Sequence, residues 1–283
     1  MGKNSSIEWT DHTFNPWWGC ARVSPGCNNC YAEAWARRVG EDIWGAKQDR
    51  RFFGERHWSE PLKWNAEAQE QERRRRVFCA SMADVFELRS DLDRWRDRLW
   101  TLIDQTPWLD WLLLTKRPQN IRKKAPWTTN WPTNVWLGTT VEDQKRADGR
   151  LPFLLQFPAK FRFLSCEPLL GQVDLTAWTT KLPPALYRID WVIAGGESGA
   201  NARAMLPGWA ISLRDQCKRS GIPFHFKQWG HWAPAEAPRT EGSPVRKFWD
   251  TVMGMEIFME PKGKKTAGRQ LDGVTWNELP VAA

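Results

Sequence analysis

Six short apolar runs recur along the chain, and they limit its possible folds more than any other feature. They are rich in branched and aromatic residues, and they are continuous rather than alternating. Strands that are buried on both faces of a parallel sheet have this pattern. The runs are VFCAS (77–81), WLLLT (111–115), VWLGTT (135–140), FRFLSCE (161–167), WVIAGGES (191–198) and PFHFKQW (223–229).

Helical segments are predicted between several of these runs, such as DLDRWRDRLWTLIDQ (91–105) and GWAISLRDQCKRSG (208–221). The second ends in Lys-Arg-Ser-Gly, which is a good helix stop. Alternating strands and helices are typical of an α/β fold, either a (β/α) barrel or an open doubly wound sheet. We predict a TIM-like (β/α) barrel, complete or partial, over residues 1–230, with HTFNPWW (12–18) as the candidate first strand. Residues 231–283, which are Pro/Gly-rich and basic, are predicted to form a C-terminal extension.

Polar or charged side chains follow nearly every run. One such residue at a strand end is only a cap or a turn. In parallel α/β folds, however, the carboxyl ends of the strands face the active site, so we expect the whole set to line one pocket. The set comprises Ser81, Asp84, Thr115, Lys116, Arg117, Thr139, Thr140, Glu142, Ser165, Glu167, Glu197, Ser198, Lys227 and Gln228.

Three of the six cysteines, Cys20, Cys27 and Cys30, lie close together in a C-x6-C-x2-C spacing. Pro25 and Gly26 favour a turn between the first two, so the thiols could curl toward one point. In a reducing cytosol, a cluster of this kind is more typical of metal binding or redox chemistry than of a disulfide framework. The remaining cysteines are interpreted as small buried hydrophobic residues: Cys79, Cys166 and Cys217.

Two kinds of metal site are compatible with three clustered thiols. A structural zinc would need a fourth ligand, which His12 or His57 could supply, although no second C-x2-C or H-x3-H pair follows. The alternative is a [4Fe-4S] cluster in which three irons are held by cysteine and the fourth is open. In radical enzymes, S-adenosylmethionine chelates such an open iron through its amino and carboxylate groups.

The three cysteines after the first strand of a predicted barrel resemble the radical S-adenosylmethionine superfamily. The usual spacing there is C-x3-C-x2-C with an aromatic residue before the last cysteine. Here the first gap is six residues, Asn29 takes the place of the aromatic residue, and Tyr31 follows the last cysteine. The nearest functional analogy within the superfamily is with the spore photoproduct lyases, which repair DNA.

The whole chain is similar to a phage- and mobile-element-associated three-Cys-motif family of unknown function. That family is itself regarded as radical-S-adenosylmethionine-like because of its three cysteines. The matching stretches extend over nearly the entire chain: FNPWWGCARVSPGCNNCYAE, LLLTKRP, WLGTTVED, SCEPLLG, WVIAGGESG, FKQWG and KKTAGRQLDGVTWNELP.

The resemblance implies two cofactors, a [4Fe-4S] cluster held by Cys20, Cys27 and Cys30, and S-adenosylmethionine. Members of the superfamily often bind the methionine amino group with a Gly-Gly-Glu motif after the second strand. In this chain Asp84 lies at that position, and the Gly-Gly-Glu sequence comes after a later strand. The candidate cofactor-binding residues are therefore Asp84, Thr115, Gly195, Gly196, Glu197 and Ser198. As an alternative, GGESG is a tight turn in which Glu197 caps a helix.

The remaining strand-end residues are candidates for substrate binding or catalysis: Lys116, Arg117, Thr139, Glu142, Ser165, Glu167, Lys227 and Gln228. The net charge of +8 and a pI near 9.3 favour DNA, RNA or another phosphate-rich partner. A radical enzyme would also need an electron donor such as flavodoxin or ferredoxin, and we expect a protein partner encoded nearby.

No apolar run is long enough to span a membrane, and MGKNSSIEWT lacks the apolar stretch of a signal peptide, so we expect a cytoplasmic protein with no membrane partner. Two function classes remain open. The first is a radical enzyme that modifies or repairs nucleic acid or a nucleotide. The second is a non-catalytic nucleic-acid-binding protein with a structural zinc or iron–sulfur site.

Overall fold

A computed structural model describes residues 2–127, 129–179, 186–199, 201–237 and 244–281, and shows an α/β fold. Its larger sheet has seven strands whose spatial order follows the chain from β1 to β7. This is the strand order of a (β/α) barrel, whereas a doubly wound sheet reverses its order at a switch point. The strands are β1 His12–Thr13, β2 Arg75–Cys79, β3 Leu109–Thr115, β4 Val135–Thr140, β5 Phe161–Cys166, β6 Trp191–Gly195 and β7 Phe224–Gln228.

Each of the six apolar runs overlaps one of the strands β2 to β7, which confirms the prediction of an α/β fold. The helices are α1 Tyr31–Arg38, α2 Glu55–Trp58, α3 Glu60–Glu70, α4 Asp93–Asp104, α5 Ile121–Lys124, α6 Gln144–Leu154, α7 Thr176–Thr179, α8 Pro207–Arg219 and α9 Lys264–Ala267. Helix α8 stops where its composition indicates. Gly221 takes a φ of +64°, and the amide of Ile222 donates to the carbonyl of Cys217 at 2.9 Å, which closes the last turn.

The chain divides into two compact units. The first consists of Met1–Thr139, Arg150–Phe163 and Ala185–Tyr187, and the second of Thr140–Gly149, Leu164–Pro184 and Arg188–Ala283. The predicted boundary between residues 230 and 231 stays a prediction.

In the first unit, β1 pairs with β2, β2 with β3, and β3 with β4, and all three pairs are parallel. Val77, Trp111 and Leu113 on these strands are fully buried. Because the strands run in the same direction, the residues that follow β1, β2 and β3 lie at the same edge of the sheet.

In the second unit, β6 and β7 pair in parallel, and α8 packs on both. The predicted C-terminal extension contains strands that its composition did not indicate, in an antiparallel sheet of order β8–β10–β9. They are β8 Trp232–Ala235, β9 Arg246–Asp250 and β10 Met255–Pro261. Farther on, the amide of Phe226 in β7 donates to the carbonyl of Trp276 at 3.0 Å, so the C-terminal segment covers this strand.

Among the described residues, no helix combines the length and the hydrophobicity that are needed to cross a membrane.

Candidate functional site

The cysteine loop (residues 19–30) lies against the segment that follows β2. The amide of Gly19 donates to the carbonyl of Met82 at 2.9 Å, and the hydroxyl of Tyr31 donates to the carbonyl of Ser81 at 2.9 Å. Gly19 has a φ of +112°, and a Cβ atom there would lie 2.5 Å from the carbonyl oxygen of Ile43. A glycine is therefore required where the loop begins.

Buried carboxylate Glu33 ties the cysteine loop to α1. Arg22, inside the loop, donates from Nε and Nη2 to Oε2 of Glu33 at 3.0 and 2.8 Å. Arg37, one helical turn beyond Glu33, donates to the other oxygen at 2.7 Å. The two arginines satisfy both carboxylate oxygens, which explains how a charged group is tolerated in a position that is only 6% exposed.

The three thiols of this loop differ from the other cysteines in their exposure. Cys20, Cys27 and Cys30 are partly exposed, whereas the remaining cysteines are buried, as expected: Cys79, Cys166 and Cys217. Burial of the sulfur atom raises the pKa of Cys20 to about 12 and also raises the pKa of Cys30. Because a metal ligand must be a thiolate, metal binding here would have to drive a proton off each of these two groups.

Arg117 lies beside the first of the three thiols. Its Nη1 atom donates to Sγ of Cys20 at 3.6 Å and to Oδ2 of Asp84 at 2.8 Å, while Nη2 donates to the carbonyl of Ala21 at 2.7 Å. Burial lowers the pKa of Arg117, but the charges of Asp84 and Cys20 outweigh it and raise that pKa, so the guanidinium stays charged. A buried cation thus directly contacts a sulfur atom of the cysteine loop.

Asp84 holds this part of the structure together. Its Oδ1 atom accepts hydrogen bonds from the hydroxyl of Thr115 at 2.7 Å and from the amide of Phe86 at 3.0 Å. Its Oδ2 atom accepts from Arg117 and, at 3.1 Å, from the amide of Lys116. A carboxylate offers about four acceptor positions, and four donors already use them. An ammonium group of a cofactor would therefore have to replace one of these donors.

A second buried ion pair, which the sequence did not indicate, lies next to the first. Nη2 of Arg50 donates to Glu87 at 2.8 Å, and the two side chains are 0% and 6% exposed. Nη2 of Arg117 is 3.9 Å from the same carboxylate. Two buried arginines thus face the two buried carboxylates of Asp84 and Glu87, and their charges balance.

Two other candidates from the sequence lie near this network. The hydroxyl of Thr139 donates to the carbonyl of Thr115 at 2.9 Å, which links the ends of β3 and β4. The charge of Lys116 acts to lower the pKa of Cys30, but burial of the thiol outweighs it. The structure therefore brings together Cys20, Cys30, Asp84, Thr115, Lys116, Arg117 and Thr139 in the first unit; we call this set the cysteine-side cluster.

The second unit holds another cluster, built at the ends of β5, β6 and β7. Nζ of Lys227 lies 2.9 and 2.8 Å from the two carboxylate oxygens of Glu167. Nε2 of Gln228 donates to Glu167 and to the hydroxyl oxygen of Ser198, both at 3.1 Å. These four side chains form the lysine-side cluster.

The Gly-Gly-Glu sequence lies beside the lysine-side cluster, and close packing of the backbone explains one of its glycines. A Cβ atom on Gly196 would lie 1.9 Å from the carbonyl oxygen of Trp229, whereas one on Gly195 would make an ordinary contact with Glu167 at 3.4 Å. Glu197 accepts hydrogen bonds from the amide, Nε and Nη2 of Arg203 at 2.8, 2.9 and 2.6 Å. It therefore holds the loop before α8, and does not cap that helix, whose N-cap is Leu206.

Glu142 and Ser165 are buried candidates in the second unit. Glu142 is fully buried, and its charge helps to raise the pKa of Arg203, after the larger contribution of Glu197. Ser165 is 4% exposed, and its carbonyl accepts a hydrogen bond from the amide of Val141 at 3.0 Å. The candidates thus fall into one group in each unit, and the expectation that they line a single pocket stays a prediction.

The two histidines that were considered as zinc ligands are engaged elsewhere. Nδ1 of His12 accepts from the amide of Asn4 at 3.3 Å, and Nε2 of His57 lies 2.8 Å from the carbonyl oxygen of Asn15. Within the described part of the chain, no three or more His, Cys, Asp or Glu side chains are placed to hold a metal ion. The thiols of the cysteine loop would therefore have to move closer together to hold a metal ion.

Residues 4–280 match the model of a family described as a protein of unknown function (DUF5131). No curated protein matches the chain. Three solved structures of spore photoproduct lyase mutants are similar, and each alignment covers 92% of this chain and 71% of the lyase chain. A tyrosine-to-phenylalanine mutant is 10% identical with a TM-score of 0.46. A cysteine-to-serine mutant is 12% identical, and a cysteine-to-alanine mutant with the dinucleoside spore photoproduct is 11% identical, both with TM-scores of 0.43.

Proposed function

This chain belongs to the DUF5131 family, and we propose that it is a radical S-adenosylmethionine enzyme whose [4Fe-4S] cluster is held by Cys20, Cys27 and Cys30. When bound, such a cluster supplies the electron that cleaves S-adenosylmethionine and yields a 5′-deoxyadenosyl radical.

The observation that carries this proposal is the contact between Arg117 and Cys20. A buried guanidinium that donates to a sulfur atom fits a sulfur that carries negative charge, as a metal-bound thiolate does. Three partly exposed thiols in one loop also fit a cluster that takes three protein ligands. The donor set is soft and rich in sulfur, which suits iron–sulfur chemistry better than a hard cation.

The surrounding residues hold the loop for this purpose. Glu33 fixes its far end through Arg22, and Tyr31 attaches it to the segment after β2. Asp84 holds Arg117 in place, and the network around it is closed to solvent. In this proposal these residues orient the thiols and keep water away from one side of the cluster.

Cofactor binding is proposed for the strand-end residues named from the sequence. Asp84 in the first unit and Glu197 in the second are each paired with an arginine, so a methionine ammonium bound at either carboxylate would have to exchange with one of its donors. Thr115 and Ser198 add hydroxyl groups, and Gly195 and Gly196 lie beside the lysine-side cluster, against Glu167 and the carbonyl of Trp229. The residues proposed for substrate binding or catalysis are Lys116, Arg117 and Thr139 in the first unit, and Glu142, Ser165, Glu167, Lys227 and Gln228 in the second.

We propose nucleic acid or a nucleotide as the substrate class, because the chain carries a net charge of +8. Flavodoxin or ferredoxin is the kind of electron donor that such an enzyme would use. The alternative is a protein without turnover that holds zinc or an iron–sulfur cluster for structural reasons.

Metal analysis and turnover test the proposal. Protein purified or reconstituted without oxygen should be brown and hold about four irons and four sulfides per chain. Reduced with dithionite, it should convert S-adenosylmethionine to 5′-deoxyadenosine and methionine. Cys27→Ala should lose the iron, while the matched control Cys217→Ala, at a buried thiol far along the chain, should keep it. Colourless protein with one zinc per chain would reject the radical enzyme and favour the alternative.

A further inference from the structure

Arg117 cannot easily leave the sulfur atom that it contacts. Its side chain is 8% exposed, and its two terminal nitrogens are held by Asp84 at 2.8 Å and by the carbonyl of Ala21 at 2.7 Å. Its own amide donates to the hydroxyl of Thr115 at 2.9 Å, which fixes the backbone as well. The guanidinium is therefore a permanent neighbour of Cys20 rather than a mobile surface charge.

The charge of Arg117 acts on Cys20 at short range, from a side chain that is only 8% exposed. Arg50 and Arg117 balance Asp84 and Glu87, so this group of four side chains is neutral as a whole. Of these four charged groups, however, it is the guanidinium of Arg117 that contacts Cys20, with Nη1 3.6 Å from Sγ. Lys116 also carries a positive charge near the loop, but its side chain is partly open to solvent, which weakens its effect.

Reduction of an iron–sulfur cluster adds one negative charge. Hydrogen bonds to the cysteine sulfurs and nearby positive charge stabilise the reduced form and raise the reduction potential. A neighbouring carboxylate has the opposite effect. Arg117 and Asp84 therefore act on the cluster with opposite signs from adjacent positions.

On the basis of the proposed function, we propose that Arg117 is a positioning residue that raises the reduction potential of the cluster through its hydrogen bond to Cys20. Asp84 limits this effect. Asp84 fixes the geometry of the guanidinium and offsets part of its charge. The pair sets how readily the cluster accepts the electron that the proposed reaction needs.

The test is a redox titration of the reconstituted protein, followed by the EPR signal of the reduced cluster. Arg117→Gln should make the cluster at least tenfold harder to reduce, which corresponds to a shift of about 59 mV to lower potential. Arg117→Lys keeps the charge but loses the planar fork, so its potential should fall between those of the wild type and Arg117→Gln. Asp84→Asn should shift the potential in the opposite direction, to higher values.

The control is Arg51→Gln, which removes a positive charge in the same unit, at a side chain that is 43% exposed and paired with Glu41. Its potential should stay close to that of the wild type. If Arg117→Gln does not fold, Arg117→Lys and Asp84→Asn still test the inference. Their potentials should shift in opposite directions, which a general disruption of the fold would not cause. Equal potentials in the wild type and the Arg117 variants would overturn this inference but not the proposed function. A wild type that loads no iron–sulfur cluster would instead overturn the proposed function.

Discussion

Asp84 and Arg117 form an ion pair whose Oδ2 and Nη1 atoms are 2.8 Å apart, and their side chains are only 7% and 8% exposed. Removing one partner of such a pair leaves the other charge buried and uncompensated. We therefore expect Asp84→Ala to lower the free energy of unfolding by about 3–5 kcal/mol. Urea denaturation followed by tryptophan fluorescence measures this change.

An exposed ion pair in the same unit serves as the control. Nζ of Lys3 lies 2.6 Å from Glu67, but both side chains are more than two-fifths exposed. Lys3→Ala should leave the urea midpoint nearly unchanged, because solvent screens such pairs. Similar losses in Asp84→Ala and Lys3→Ala would contradict the role assigned to Asp84.

Substitution of two glycines by alanine, at Gly196 and at Gly149, should change stability in opposite directions. Gly196→Ala places a methyl group 1.9 Å from the carbonyl oxygen of Trp229, so the backbones of two strand ends must move apart. We expect a loss of stability of more than about 1 kcal/mol, as overpacking of a closed site causes. Gly149, inside α6, has open space around its Cβ position, and Gly149→Ala should stabilise the protein by up to about 1 kcal/mol. Thermal melts should show a lower melting temperature than the wild type for Gly196→Ala and a higher one for Gly149→Ala.

Stability should fall in mild acid because of two histidines, one buried and one partly buried. Burial lowers the pKa of His12 and of His57 below the ordinary value of 6.5. The unfolded chain therefore binds protons at these rings more readily than the folded chain. Their contribution is fully present above pH 6.5 and is lost as the pH falls from 6.5 through the folded pKa values.

His57→Gln tests this pH dependence, because a glutamine amide can still donate to the carbonyl of Asn15 but cannot take up a proton. Urea midpoints at pH 7.5 and 5.5 should differ less in His57→Gln than in the wild type. Identical differences in the two proteins would show that His57 does not contribute to the acid sensitivity.

Binding of a polyanion should depend on Lys116 more than on Lys227. Lys227 is held by both oxygens of Glu167, whereas no carboxylate in the described ranges pairs with Lys116. Lys116→Ala should weaken binding of a fluorescent single-stranded oligonucleotide and reduce the slope of log K against log salt by about 0.7. Lys227→Ala should change the slope less. If the wild type binds neither DNA nor RNA, nucleic acid is excluded as the target while the proposed cluster chemistry stands.

The strands of the larger sheet could be located from the sequence because their signal is local. The apolar runs at 111–115 and 135–140 are continuous, and nearly all of their residues are buried in β3 and β4. The stop of α8 follows from Lys218, Arg219 and Gly221, which act within one turn of helix. Strands β9 and β10 could not be located from the sequence, because few of their residues are buried and polar residues interrupt the apolar ones.

The three clustered thiols were also visible in the sequence, since they lie in one short loop, but their surroundings were not. Arg117 contacts Cys20 across 97 positions, and Arg50 pairs with Glu87 across 37. In the sequence, Arg50 is indistinguishable from its exposed neighbour Arg51. Composition and spacing determine which segments become strands, helices and turns, because those preferences act between near neighbours. Only the packed structure decides which charges are buried together, because burial and pairing depend on segments that the chain brings together from far apart.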